Sequence, residues 1–208
     1  MIDPAADHLV YVVPDLGPSV RAVEDRLGVP FTPGGSHPGL GTRNVLLRIG
    51  PRIFLELLGP DPGQPCPPRG LWLSAGGRVR PSLATWCVRS EDLDSLAAGP
   101  AGHLVGPVRA MSRARPSGDH IAWTLTMPQT PPPHGGIVPF FIDWGDTAHP
   151  CKDLPDHGVS LSALQGRHPD PGAVRAGLDA LGVELPVEVG PPSLHAELRT
   201  PSGTIVAV

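Results

Sequence analysis

The feature that most constrains this chain is an order that repeats along it. A short apolar block comes first, then a stretch of helical spacing, then further short apolar blocks, each bounded by Gly or Pro. His8 to Val13 reads as a strand closed by Pro14-Asp15, after which Leu16, Val20, Val23 and Leu27 recur at helical spacing until Gly28 stops the helix. An extended Gly-rich segment, flexible from Gly34, runs to Gly41, and strands follow at Asn44 to Ile49 and Ile53 to Leu58, separated by Gly50-Pro51-Arg52. The order is βαβββ. It returns with a strand at Leu83 to Val88, a helix capped by Ser90 through Leu93 and Leu96, an extended stretch from Val105 to Met111, and strands at Ile121 to Met127 and Val138 to Trp144. A third pass runs from Val159 to Leu164 through a helix opened by Asp170-Pro171 to Val187–Val189, Leu194–Leu198 and Ile205–Val208. The units are expected at 1–60, 80–146 and 157–208, with Pro/Gly-rich joints at Asp61 to Gly70 and Gln129 to Gly136. No such unit can bury both faces of its own sheet, so the units are expected to pack as one domain and leave a curved surface between them.

The composition agrees with an ordered chain. The 26 Gly and 29 Pro make up about a quarter of 208 residues, a share that signals low complexity when apolar residues are scarce, but here 40% are hydrophobic. A formal net charge of -4 with no long basic run argues against nucleic acid as a partner. No stretch of about 20 apolar residues occurs and the opening residues lack a secretion signal, so no membrane partner and a cytoplasmic location are expected. Cys66, Cys87 and Cys151 form no CxxC pair and leave an odd thiol, which argues against a disulfide framework or a zinc knuckle.

Several stretches in order resemble the glyoxalase-like domains of the vicinal-oxygen-chelate superfamily. They are Asp7-His8-Leu9-Val10-Tyr11-Val12-Val13-Pro14-Asp15-Leu16, Gly41-Thr42-Arg43-Asn44, Leu55-Glu56-Leu57-Leu58-Gly59, Leu83-Ala84-Thr85-Trp86 and Phe140-Phe141-Ile142-Asp143-Trp144-Gly145. The resemblance spans nearly the whole chain. It implies an α+β fold in which βαβββ units form curled mixed sheets around a cleft, often with a divalent metal ion as cofactor. In metal-bearing relatives the positions of His8 and Glu56 supply ligands from the first unit. The second unit departs from that pattern, because Thr85 stands where a histidine or glutamine is expected.

Read from the residues alone, His8 opens a strand that is apolar on both faces, so it is either a hydrogen-bonded structural residue or a ligand. Glu56 interrupts the run Ile53 to Leu58, and a buried carboxylate needs compensation. Arg43 or Arg48 on the neighbouring strand would supply an ion pair; a metal or a polar substrate group would supply a functional partner. Arg43 is expected to neutralise Glu56, with fixing an anionic ligand as its other role. Asp143 is either an oxygen donor, giving a metal set of His8, Glu56 and Asp143, or a cap on the following turn. Asn44 and Thr85 are candidate substrate contacts. Trp72, Trp86, Trp123 and Trp144 are either core or, for one or two of them, a stacking wall of the cleft, and Trp86 is a candidate substrate contact. The leading function is a glyoxalase-like enzyme whose divalent ion polarises oxygens of a small-molecule substrate, with Glu56 as base if the metal is absent. A metal-free protein that binds and sequesters a ligand is the competing reading, and a plain interaction module a third. An odd number of units leaves an edge that a second copy could cover, giving a homodimer.

Overall fold

The computed structural model describes residues 2–68, 70–75, 80–114, 118 and 120–208. Arg69, inside the expected Asp61–Gly70 joint, and positions 115–117 and 119, inside the second expected unit, lie outside the described residues.

The chain opens with β1 (Ala6–Val12), α1 (Leu16–Leu27), β2 (Thr32–His37), β3 (Thr42–Gly50) and β4 (Ile53–Pro60). Asp15 begins α1 by accepting from Gly17 N, and Gly28 ends it in the left-handed region at φ 73°. Leu16, Ser19, Val23 and Leu27 form its buried face. The extended Gly-rich segment supplies strand β2, so its Gly34–His37 part is a paired strand rather than a flexible loop. Its pairing with β3 slips between Pro33 and Ser36, and at Gly34 a Cβ would lie 1.9 Å from Asn44 Oδ1. The glycines there make room for a side chain laid across the backbone.

The order then repeats as β5 (Ser82–Arg89), α2 (Leu93–Ala98), the short α3 (Gly102–Val105), β6 (Val108–Ala114), β7 (His120–Thr126) and β8 (Phe140–Asp143). The cap of α2 is Asp92, which accepts from Ser95 N, rather than Ser90. These eight strands form one mixed sheet in the order β2-β3-β4-β1-β5-β8-β7-β6, with β1 and β5 antiparallel at its centre. The sheet curls until its edge strands β2 and β6 touch. This is the α+β curled-sheet architecture that the resemblance implies.

A second sheet, in the order β10-β9-β11-β12, comes from β9 (Ser160–His168), β10 (Val187–Val189), β11 (Ser193–Arg199) and β12 (Ile205–Ala207), with α4 (Pro171–Ala180) between β9 and β10. Its Leu164, Leu194, Ala196 and Leu198 join the cluster that contains Leu9, Leu57, Trp86 and Phe141. The small sheet therefore covers the outer face of the large one. A separate cluster of Val10, Val12, Leu58, Cys87, Phe140 and Ile142 lies on the inner, concave face.

The sheets touch directly, β11 on β5 and β9 on β3, and the turn at Pro133–Gly136 packs against both β5 and β11. Gly136 has φ 90°, and a Cβ there would sit 1.9 Å from the Ala84 carbonyl oxygen on β5. The neighbouring Ile137 accepts the Trp86 indole N–H at 2.7 Å. Gly136→Ala forces both a strained φ and a backbone clash, and should lower stability by about 3 kcal/mol or more. Urea unfolding would measure this, and a loss below 1 kcal/mol would show that the turn yields.

Candidate functional site

Strand alternation sends His8, Val10 and Val12 of β1 and Phe54, Glu56 and Leu58 of β4 to the concave face. On β3 the same parity selects Asn44 and Leu46, and on β8 Phe140 and Ile142. These side chains, with His37, Trp72, Met111, Arg113, Trp123, Leu125, Trp144 and Pro150, enclose a cavity of about 40 Å³. That is room for about three waters. The first half of the sheet supplies the polar wall of His8, His37, Asn44 and Glu56. The second half supplies a mainly apolar one, in which Arg113 is the charged residue. No residue of the small sheet lines the cavity.

Alternation alone would send Asp7 to the face opposite His8. It does not, because β1 carries a bulge: Ala6 pairs with Val88 and His8 with Cys87, leaving Asp7 unpaired. Asp7, with no exposed surface, turns toward the cavity side and accepts from His8 Nδ1 at 2.7 Å, His149 Nε2 at 3.0 Å and Trp144 Nε1 at 3.1 Å. Arg89 Nη1 stands 3.7 Å away. Burial alone would raise the Asp7 pKa, but the hydrogen bonds and positive charge offered by His149 and His8 outweigh it and hold the carboxyl well below the usual carboxylate range. An ionised Asp7 can only accept, so His8 Nδ1 carries the proton and Nε2 faces the cavity. The His8 ring is fixed further by stacking on Phe54 at 4.7 Å and 13°.

Glu56, 4% exposed, is bound on one oxygen only. Asn44 Nδ2 donates to Oε1 at 2.6 Å, while Oε2 stands 3.8 Å from His8 Nε2, beyond hydrogen-bond range. A single oxygen about 2.8 Å from both atoms would complete the triangle. The Asn44 amide is oriented by Gly35 N, which donates to Oδ1 at 2.9 Å and so directs Nδ2 inward. That Nδ2 also lies 3.3 Å from His37 Nε2, and since it can only donate, His37 accepts there and donates from Nδ1 to Thr42 Oγ1 at 3.1 Å. Desolvation lowers the His37 pKa, against the opposing pull of Glu56.

The structure brings together His8, Glu56 and Asn44 from the residues singled out above, and corrects the others. Arg43 is exposed on the opposite face of β3, where its charge acts on Asp61, so it does not neutralise Glu56. Arg48 pairs with Asp156 at 3.6 Å. Trp86 is fully buried on the outer face, with its indole N–H on Ile137, and cannot touch a ligand in the cavity. Thr85 is buried opposite Val10 on the inner face but does not line the cavity. Asp143 has opposite parity to Ile142 and caps the next turn, accepting from Gly145 N at 2.8 Å. Asp7, His37 and His149 were not assigned from sequence, whereas Trp72, Trp123 and Trp144, three of the four tryptophans read as core or cleft wall, line the cavity. An Asp-His pair in a regular strand points to both faces, and nothing in the letters marks the bulge.

A resident divalent ion fits this donor set poorly. With Asp143 turned away, His8 Nε2 and Glu56 Oε2 remain, and two tetrahedral ligands with bonds near 2.1 Å lie about 3.4 Å apart, closer than the 3.8 Å here. The Asn44 amide occupies the other Glu56 oxygen and the His37 lone pair. Asp7, His8 and Cys87 do lie within 4.8 Å of one another. There, however, Oδ1 and Nδ1 bond each other, and burial pushes the Cys87 thiol well above its ordinary pKa, away from the thiolate a metal needs.

Trp72 enters the cavity from a turn at Trp72–Ser74, edge-on to His37 and Phe140. Its backbone is strained: Leu73 and Ser74 have φ 53° and 58° without being glycine. Among the described residues its Nε1 is the one buried side-chain nitrogen or oxygen without a hydrogen-bond partner. Such an omission costs about 1–3 kcal/mol.

The profile of a glyoxalase-like domain family matches residues 6–182. The chain belongs to that family. This glyoxalase-like protein is similar in fold to a hypothetical protein from Staphylococcus aureus, at 15% identity and TM-score 0.57, over 97% of this chain and 84% of that one. It also matches methylmalonyl-CoA epimerase from Mycobacterium tuberculosis at 19% identity and TM-score 0.42, over 69% and 90% of the two chains. A methylmalonyl-CoA epimerase in complex with methylmalonyl-CoA and NH4+ matches at 17% identity and TM-score 0.44, over 70% and 98%. No functionally curated protein matches the sequence.

His37 gives the site of this glyoxalase-like protein a pH signature. Its folded pKa lies below the ordinary 6.5, so its neutral form is favoured by folding. That contribution is complete above pH 6.5 and is lost as the pH falls toward the folded value, with a slope of up to about 1.4 kcal/mol per pH unit. Stability measured by urea unfolding should fall between pH 6.5 and 5, and His37→Gln should flatten that fall; an unchanged slope in the variant would contradict this assignment.

Proposed function

We propose that the cavity moves a proton on a small carbonyl compound without a resident metal, Glu56 acting as base and His8 as the partner of the carbonyl oxygen. The observation that carries this reading is the chain Asp7–His8–Glu56, in which a buried carboxylate holds one histidine nitrogen and leaves the other facing a half-free glutamate oxygen. A buried ionised group placed behind a cavity histidine is the kind of arrangement that active sites carry.

In this reading Glu56 Oε2 takes a proton from the carbon beside the carbonyl, while Oε1 stays fixed on Asn44. The electron pair moves onto the carbonyl oxygen, which accepts a hydrogen bond from Nε2–H of His8 in its doubly protonated form, whose positive charge the Asp7 carboxylate offsets. Return of the proton to carbon restores both residues. The apolar wall of Met111, Leu125, Phe140 and Ile142 receives the non-reacting part of the substrate. The same wall would suit a protein that only sequesters a ligand. The half-free Glu56 oxygen facing His8 Nε2 favours chemistry, since sequestering an apolar ligand does not call for a base beside a histidine.

Exchange of acidic C–H for deuterium in a panel of 2-oxo acids and hydroxyketones, followed by proton NMR in D2O, tests this. Chelator-treated protein should catalyse exchange of at least one member, and Glu56→Gln should slow it by about 10²-fold or more. Binding without exchange in the unaltered protein would support sequestration, and exchange that requires added metal would overturn the metal-free reading.

A further inference from the structure

We propose that the Trp72 indole N–H is a ligand-binding donor of this cavity, and that the ligand presents a carbonyl or carboxylate oxygen to it. This rests on the small-molecule reading of the cavity above but does not depend on proton transfer by Glu56. Trp72 Nε1 is buried and unpartnered among the described residues, although Trp86 bonds Ile137 and Trp144 bonds Asp7. Buried donors are satisfied as a rule, and the exceptions mark strain, an unseen water or ion, or a functional contact. Here strain accompanies the exception, since the backbone that carries Trp72 holds two successive non-glycine residues at positive φ. The indole also stands edge-on to His37, a member of the polar wall, and to Phe140, a member of the apolar one.

An acceptor at Trp72 would sit where those two walls meet. The His37 nitrogens are committed to Thr42 and Asn44, so the ring beside Trp72 does not compete for the acceptor. Arg113 lines the same cavity and acts electrostatically on His37, the ring against which Trp72 stands. A carbonyl or carboxylate oxygen would complete the indole N–H and select ligands by an acceptor rather than a donor.

The test uses short probes that suit a cavity of about 40 Å³: propionate, propionamide and propylamine, the last with the same chain but no acceptor oxygen. Each is titrated into full-length protein while the indole N–H signals are followed in ¹H–¹⁵N spectra. The Trp72 signal is assigned by its absence in Trp72→Phe or, should that variant not fold, by its through-space contacts with His37 and Phe140. The Trp72 signal should move downfield and saturate with propionate or propionamide but not with propylamine. Whichever of the two binds more tightly distinguishes carboxylate from carbonyl. Trp72→Phe should weaken that binding by about tenfold. A Trp72 signal unmoved by both acceptors, or equal binding by Trp72→Phe, overturns the proposal. Glu56→Gln should keep the Trp72 shift while losing proton exchange, so a failure of one reading can be told from a failure of the other.

Discussion

A carboxylate with no exposed surface must be answered by donors, and the way Asp7 is answered organises this site. Three rings, those of His8, His149 and Trp144, donate to it, and Arg89 stands behind them. Their donors come from β1 itself and from the segment after β8, so one buried charge ties the centre of the large sheet to the chain that leaves it. Removing one partner of a buried charge leaves the other uncompensated, which costs about 3–5 kcal/mol. The same contacts fix the orientation of His8, because a ring that donates from Nδ1 must present Nε2 to the cavity. Structural and chemical roles are carried by one set of bonds.

The two faces of the large sheet divide the work. The outer face is covered by α1 and by the small sheet, and there Leu9, Trp86 and Phe141 make an ordinary core. The inner face keeps a narrow space, polar on the side of the first unit and mainly apolar on the side of the second. The third unit has no residue in the cavity; its contribution is to back the large sheet from outside, with β11 packed on β5 and on the turn at Pro133–Gly136. That division explains why a chain of three similar passes carries its polar side chains at one end. Only the faces turned inward can meet a ligand, and among the described residues only the first unit places histidines and a carboxylate there.

Element order was legible from sequence because it depends on local signals: helical spacing from Leu16 to Leu27, alternation in β3 and β4, and Gly or Pro at the joins. His8, Asn44 and Glu56 were legible because a polar residue in an apolar strand needs a partner. The partner of Glu56 was not. Parity could have excluded Arg43, since β3 sends it to the face opposite Asn44. Asp143 was open to two readings, and the cap on Gly145 N is the one adopted. Asp7 was hidden for a different reason. A bulge depends on register between β1 and β5, a pairing more than seventy residues apart in the chain, and no local pattern reports it. Trp72 was one of four tryptophans open to a core or a cleft role, and no periodicity between β4 and β5 says which of them reaches the cavity.

Ionised Asp7 fixes the His8 ring with a proton on Nδ1 and with Nε2 toward the cavity. Long-range ¹H–¹⁵N spectra of the histidine side chains measure this directly, with His8 assigned by a His8→Asn variant. The neutral form of His8 should show a protonated Nδ1 and an unprotonated Nε2, and Asp7→Asn should abolish that preference. A His8 ring protonated at Nε2 in the unaltered protein, or a tautomer indifferent to Asp7→Asn, would contradict the account.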